Sequence, residues 1–289
     1  RDTVRRFWRG DGHSAQDLGS ALLGSASLFD KQGRRAWSSV NFVAAHDGFT
    51  LADATAYVER HNHANGEDNH DGHHGNHSDN FGIEGETDLP LILAARKRRQ
   101  RNMLATVVLS QGTPMILAGD EGGNSQGGNN NAYCQDNPTS WIDWDKLDPD
   151  QIAFAAALIH FRKDHAAVRQ NSFLHGAQRQ VDGLKDVEWR AFDESCLNWR
   201  DPGLSSLCLM LRGCAESVPG NASLDTVLIA FNREAREEVL VLPDPGKRRW
   251  IRKIDTSQAQ QAAVEMDVRR TRVAAESVAA YVLREEPQA

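Results

Sequence analysis

Apolar residues recur along this chain with first a helical spacing, then an alternating one, and long polar stretches separate them. "DTVRRFWR" and "SAQDLGSALLG" read as short helices near the start, the second weakened by its glycines and serines. "VNFVAA" is apolar on both alternating faces, as a central parallel strand is, and Thr50 to Arg60 carries a helical spacing. The segment "HNHANGEDNHDGHHGNHSDNFGIEGETD" is too long for a routine connection and reads as a functional loop or a disordered insertion. "LPLILAARKRRQRNMLATVVLSQG" predicts one helix that becomes apolar along its length and stops near Gly112. "TPMILAGDE" follows as a short buried strand ending in acids. Strand, helix and strand in that order make a β/α repeat.

A second polar loop, "GGNSQGGNNNAYCQDNPTSWIDWDKLDPD", leads into "PDQIAFAAALIHFRKDHAAVR". There Pro149 suits the first turn of a helix, and Ile152, Ala155, Ile159 and Phe161 supply much of an apolar face. Beyond Asn171 the period shortens. "DVEWRAF", "SSLCLMLRG", "DTVLIAFNR", "EEVLVLP", "RRWIRKI" and "TRVAAESVAAYVLR" are strand candidates separated by turn residues. The expected architecture is α/β plus all-β: residues 1–171 as part of a (β/α)8 TIM barrel, and residues 172–289 as an antiparallel β-sandwich. A complete barrel takes roughly 250 residues. The first segment, with two confident strands, therefore reads as the last part of one.

Composition narrows the partners. The 289 residues carry a formal charge of -7, which offers no uniform positive surface to a nucleic acid. No apolar run is long enough to span a membrane. Cys134, Cys196, Cys208 and Cys214 follow no metal-binding or disulfide pattern, so reduced thiols in the cytoplasm are expected. There is no N-terminal signal sequence, and the opening without methionine resembles the interior of a longer protein.

The candidate chemistry begins where "VNFVAA" ends. His46 and Asp47 are neighbours, and in an extended strand neighbours face opposite ways, so they make no dyad unless the backbone bends; Gly48 favours a bend. Pattern alone leaves two readings, a satisfied strand-end pair or an active-site pair. As a site residue, Asp47 would hold sugar hydroxyls and stabilise positive charge at an anomeric carbon, with His46 orienting another hydroxyl. Glycosidic hydrolysis needs two further carboxyl functions. The histidines at 61, 63, 70, 73, 74 and 77, with Asp68, Asp71 and Asp79, could ligate zinc or nickel, but their spacing matches no defined site; a solvated or substrate-side loop is the better reading. "GGNNNAYCQDN" is either a surface turn or a source of amides for an oligosaccharide cleft. Tyr133, Trp141 and Trp144 offer flat surfaces to sugars, with at least one tryptophan expected to pack beneath the cleft. Cys134 reads as structural rather than nucleophilic, because no base stands beside it in sequence.

Four ordered stretches, "VNFVAAHDGFTLAD", "HNHANGEDNHDG", "LSQGTPMILAGDE" and "GGNNNAYCQDNPTSWIDW", together resemble bacterial glycogen debranching enzymes of the isoamylase type, in the α-amylase superfamily. The resemblance covers roughly Arg1 to Arg169, with a looser match through the β-rich tail. It implies a retaining hydrolase of α-1,6 branch linkages in glycogen, limit dextrin or branched maltooligosaccharides, with no organic cofactor and no metal. It implies that His46 binds the sugar at the cleavage subsite and that Asp47 stabilises the transition state. Asp120, Glu121, Asn130 and Tyr133 are further candidates for substrate contact. The family's nucleophile and acid/base residues lie on earlier barrel strands and have no counterpart in these 289 residues. The chain is accordingly expected to be inactive alone, or to act as a noncatalytic carbohydrate-binding or structural piece, with self-association possible.

Overall fold

A computed structural model describes residues 1–213 and 225–285; Cys214 lies outside them. Helix α1, Asp2–Arg9, buries Val4, Phe7 and Trp8 along one face and stops at Gly10, whose positive φ lets its N–H reach the carbonyls of Arg6 and Phe7. Helix α2, Ser14–Leu22, buries Ala15, Leu18 and Leu22, and a single turn α3, Ala26–Phe29, follows. Strand β1, Val40–Asn41, and strand β2, Thr113–Pro114, pair in parallel, with helix α4, Pro90–Val108, between them. That is the expected strand–helix–strand unit. Helix α4 starts with an exposed Leu91 and ends in a buried run from Met103 to Val108, as its gradient of hydropathy predicts.

The two strands are much shorter than their apolar runs. The amides of Thr113 and Met115 donate to the carbonyls of Ser39 and Asn41, both at 2.8 Å, and Pro114 between them has no N–H to offer a strand on its other side. On the other strand, the carbonyl of Val43 accepts from the Arg5 side chain at 3.0 Å instead of from a neighbouring strand. The expected helix from Thr50 to Arg60 is only one 3-10 turn, Asp53–Thr55. Its polar side chains are committed elsewhere, since Asp53 reaches across 73 residues to the amide of Gln126 at 2.9 Å.

Helix α5, Pro149–Asp164, opens with its proline in the first turn and with the Asp148 carboxylate capping the Asp150 amide at 2.9 Å. Its buried stripe is Gln151, Phe154, Ala155, Leu158 and Phe161, whereas Ile152 and Ile159 are 41% and 40% exposed. The two isoleucines lie about 100° around the helix from that stripe, so the apolar face is rotated from the expected one.

The remaining strands are β3 Val187–Arg190, β4 Ser206–Arg212, β5 Thr226–Asn232, β6 Glu238–Val241, β7 Arg248–Asp255, β8 Val264–Met266, β9 Arg270–Val273 and β10 Ser277–Glu285. Six of them form an antiparallel sheet in the order β3-β4-β5-β10-β7-β8, and β6 pairs with β9 in a second sheet. Strand β8 has no counterpart among the six sequence candidates. The last candidate breaks into β9 and β10 at Glu276, a residue with φ +45 whose carboxylate meets Arg98 at 2.9 Å and Arg99 at 3.2 Å on α4. Period-two alternation divides the large sheet's side chains. Leu207, Leu209, Ile229, Phe231 and Ala280 pack toward the helices, in one apolar cluster with Phe7, Trp8, Leu104 and Phe154. Cys208, Met210, Leu228, Ala230 and Tyr281 pack against Leu240 and Val273 of the small sheet. Burying each such large side chain contributes roughly 1.5 to 3 kcal/mol.

Candidate active site

Beyond β1 the chain turns at Gly48, with φ +82, and its amide donates to the carbonyl of Asn130 at 2.9 Å. Arg5, almost fully buried, brackets this turn. It donates to the carbonyl of Val43 before it at 3.0 Å, of Phe49 after it at 2.9 Å, and of Asn76 at 3.0 Å. Burial lowers the Arg5 guanidinium to a pKa of about 10, still charged at neutral pH. The turn leaves His46 exposed and Asp47 half-exposed, with no hydrogen bond between them among the described residues.

Asp47 has two neighbours of opposite charge or donor character. His73 Nε2 lies 2.7 Å from Oδ2, and an Arg1 guanidinium nitrogen lies 3.6 Å from Oδ1. The hydrogen bond from His73, above all, holds the Asp47 carboxyl below its ordinary pKa. An ionised carboxylate at the surface of a bent strand end is the form that attracts developing positive charge.

Below it, two polar loops are laced together by amides. Asn62 donates to Asn130 Oδ1 at 2.9 Å and receives the Asn130 backbone amide at 2.9 Å. Asn130 Nδ2 donates to the carbonyl of His73 at 2.9 Å and to Asn76 Oδ1 at 3.0 Å. Asp71 Oδ2 accepts from Asn65 at 2.7 Å and from Asn131 at 2.8 Å. Asparagine suits this lattice because one side chain both donates and accepts. At Gly72, φ is +78 and a Cβ would stand 2.1 Å from Asn130 Oδ1.

The remaining sequence candidates separate by depth. Asn130 is 1% exposed and its amide serves the lattice. Asp120, also 1% exposed, accepts the Leu51 amide at 2.9 Å, its other oxygen is without a partner, and burial raises its pKa to about 7. Glu121 is half-buried and accepts the Gly119 amide at 2.9 Å. Tyr133 is 76% exposed. Trp141 and Trp144 are both exposed as well, so neither packs beneath a cleft in this chain; Trp141 Nε1 donates to Asp136 at 3.0 Å. Cys134 and Cys196 are exposed and Cys208 is buried, which pushes its thiol pKa up.

The histidine-rich loop disperses its side chains. His61 lies 3.1 Å from Glu84, His74 lies 3.4 Å from Arg60 and His77 lies 3.4 Å from Arg9. Among the described residues no group of three or more His, Cys, Asp or Glu side chains is arranged to hold a metal ion. No described helix is long and apolar enough to cross a membrane. Two residues that matter at the turn carry no signal in the sequence pattern. His73 lies 26 positions from Asp47, among other histidines, and Arg5 reads as one of several charges on an N-terminal helix.

No family model matches the chain. It is 42% identical over 268 residues to "Glycogen operon protein GlgX homolog" of Mycobacterium bovis, a match covering 89% of this chain and 37% of that protein. It is 45% identical over 199 residues to "Glycogen debranching enzyme" of Erwinia tasmaniensis, covering 65% of this chain and 30% of that one. The chain resembles the C-terminal portion of bacterial glycogen debranching enzymes of the isoamylase type. It thus spans about a third of the length of the curated relatives it matches. Among solved structures, a pullulanase from Anoxybacillus sp. LM18-11, complexed with maltotriose, superposes with a TM-score of 0.62 over 98% of this chain and 33% of its own, at 21% identity. At that identity the likeness concerns the fold alone.

Proposed function

We propose that this chain forms one wall of the catalytic site of a glycogen debranching hydrolase that cleaves α-1,6-glucosidic branch linkages with retention. The observation that carries the reading is the ionised, half-exposed Asp47 on a turn bracketed by Arg5 and floored by the amide lattice, in a chain about 40% identical to debranching enzymes. In this reading Asp47 binds hydroxyls of the sugar whose anomeric carbon becomes cationic, and its fixed negative charge stabilises that state more than the ground state. His46, exposed beside it, orients a further hydroxyl. Tyr133 offers an aromatic face at the edge. Asn130 serves the amide lattice and Asp120 the Leu51 backbone, because burial keeps them from a sugar, and Glu121 steadies the turn at Gly119.

Residues 1–171 are then the last strand–helix units of a (β/α)8 barrel and residues 172–289 its C-terminal β-sandwich domain. The attacking carboxylate and the proton donor that a retaining mechanism requires come from sequence outside these 289 residues. Glycogen, limit dextrin and branched maltooligosaccharides are the proposed substrates.

The test compares this chain with the complete polypeptide that carries it, for release of reducing ends from a branched maltooligosaccharide. The complete polypeptide is expected to release linear chains and to lose that activity in Asp47→Asn, while the isolated chain releases none. Turnover by the isolated chain would sink the proposed division of labour. The exposure of Tyr133, Trp141 and Trp144 favours one second reading, a noncatalytic carbohydrate-binding piece. Maltotriose binding by a complete polypeptide that has no hydrolytic activity would select it.

A further inference from the structure

His73 meets Asp47 at 2.7 Å, and the backbone that delivers its imidazole is unusually well fixed. The carbonyl of His73 accepts from Asn130 Nδ2 at 2.9 Å, and the carbonyl of Asp71, two residues earlier, accepts from Asn62 Nδ2 at 3.0 Å. Between them Gly72 lies so close to Asn130 that no side chain fits. Asn130 in turn accepts the amide of Gly48, the residue after Asp47. The same buried asparagine therefore sets both ends of the contact, the turn carrying the carboxylate and the loop carrying the imidazole.

We propose that His73 is a positioning residue for Asp47, fixing the plane of its carboxylate so that Oδ1 is presented to a sugar hydroxyl; the proposal rests on the reading of Asp47 given above. A carboxylate bonded to one donor can rotate about its Cβ–Cγ bond only by breaking that bond. With Oδ2 held by His73, the opposite oxygen has a defined direction. Three groups face this carboxylate: His73, Arg1 at 3.6 Å, and the exposed His46 on the same turn. Of these, His73 alone makes a short hydrogen bond to it. Nε2 donates whether the ring is neutral in the Nε2–H tautomer or fully protonated, so the role does not depend on a change of charge.

The experiment measures debranching kinetics of the complete polypeptide bearing His73→Ala, His73→Gln or Asp47→Asn. Loss of the donor is expected to lower kcat roughly 10- to 100-fold with KM little changed, as small displacements of catalytic groups do. Gln retains a donor amide and is expected to restore most of the loss. A kcat for His73→Ala close to wild type overturns the proposal, and so does a His73→Gln variant as impaired as His73→Ala, which marks a purely structural role. Full turnover by Asp47→Asn would instead overturn the reading of Asp47 itself, whatever the histidine variants do. Should His73→Ala fail to fold, His73→Phe in the same complete polypeptide decides, since it keeps the ring's bulk without a donor: a kcat lowered as predicted for His73→Ala supports the proposal, and a kcat close to wild type overturns it.

Discussion

The backbone amide of Leu51 donates to the carboxylate of Asp120 at 2.9 Å, joining two residues 69 positions apart in sequence. One follows the turn that carries His46 and Asp47, the other follows β2. Each of the two strand ends thus holds the other in place, and the turn's geometry depends on groups that themselves stay out of solvent.

Arg5 is the strongest of these supports. Replacing it by Ala leaves three carbonyls without their donor, at Val43, Phe49 and Asn76. A loss of about 3 kcal/mol in stability is expected from equilibrium urea unfolding. Lys, with a single ammonium in place of a planar fork, is expected to recover only part of it. A full recovery by Arg5→Lys would mean that charge, not geometry, is what the turn requires.

Asp120 gives the fold a pH dependence with a definite sign. Its ordinary pKa of 3.8 is raised to about 7 in the folded chain, so between those values the folded state binds a proton that the unfolded state has released. Stability from this group is therefore present at low pH, falls as pH rises and levels off above about pH 7. Asp120→Asn keeps an acceptor for Leu51 but cannot ionise. Subtracting its unfolding free energies from those of the wild type across pH 5 to 8 is expected to leave that falling component; a flat difference would contradict it.

Gly72 tests the amide lattice directly. In Gly72→Ala the new methyl meets Asn130 and Asn62, at a φ of +78 that alanine adopts reluctantly. A destabilisation of about 2 kcal/mol or more is expected, together with faster amide hydrogen exchange at Gly48 and Asn130 than in the wild type. Unaltered exchange at Gly48 would separate the lattice from the turn.

Much of this arrangement is written in local pattern. The helices at Asp2–Arg9, Pro90–Val108 and Pro149–Asp164 follow from apolar spacing and proline in the first turn, and six alternating segments account for seven of the eight described strands after residue 171. The break between β9 and β10 does not, because Glu276 takes its place in response to Arg98 and Arg99 on a helix far away in sequence. Trp141 and Trp144 look like packing residues by type, yet exposure is set by what surrounds them.

The sequence by itself determined the strand–helix–strand unit, the antiparallel sheet and the bend at His46, Asp47 and Gly48, since spacing, propensity and the φ preference of glycine act between near neighbours. Only the tertiary structure decided which residues serve that bend. Arg5, His73, Asp120 and Asn130 reach it across 26 to 82 positions, through hydrogen bonds whose partners no periodicity encodes. Folding brings them together because each buried donor or acceptor must find a partner, and the nearest available one is seldom the nearest in sequence.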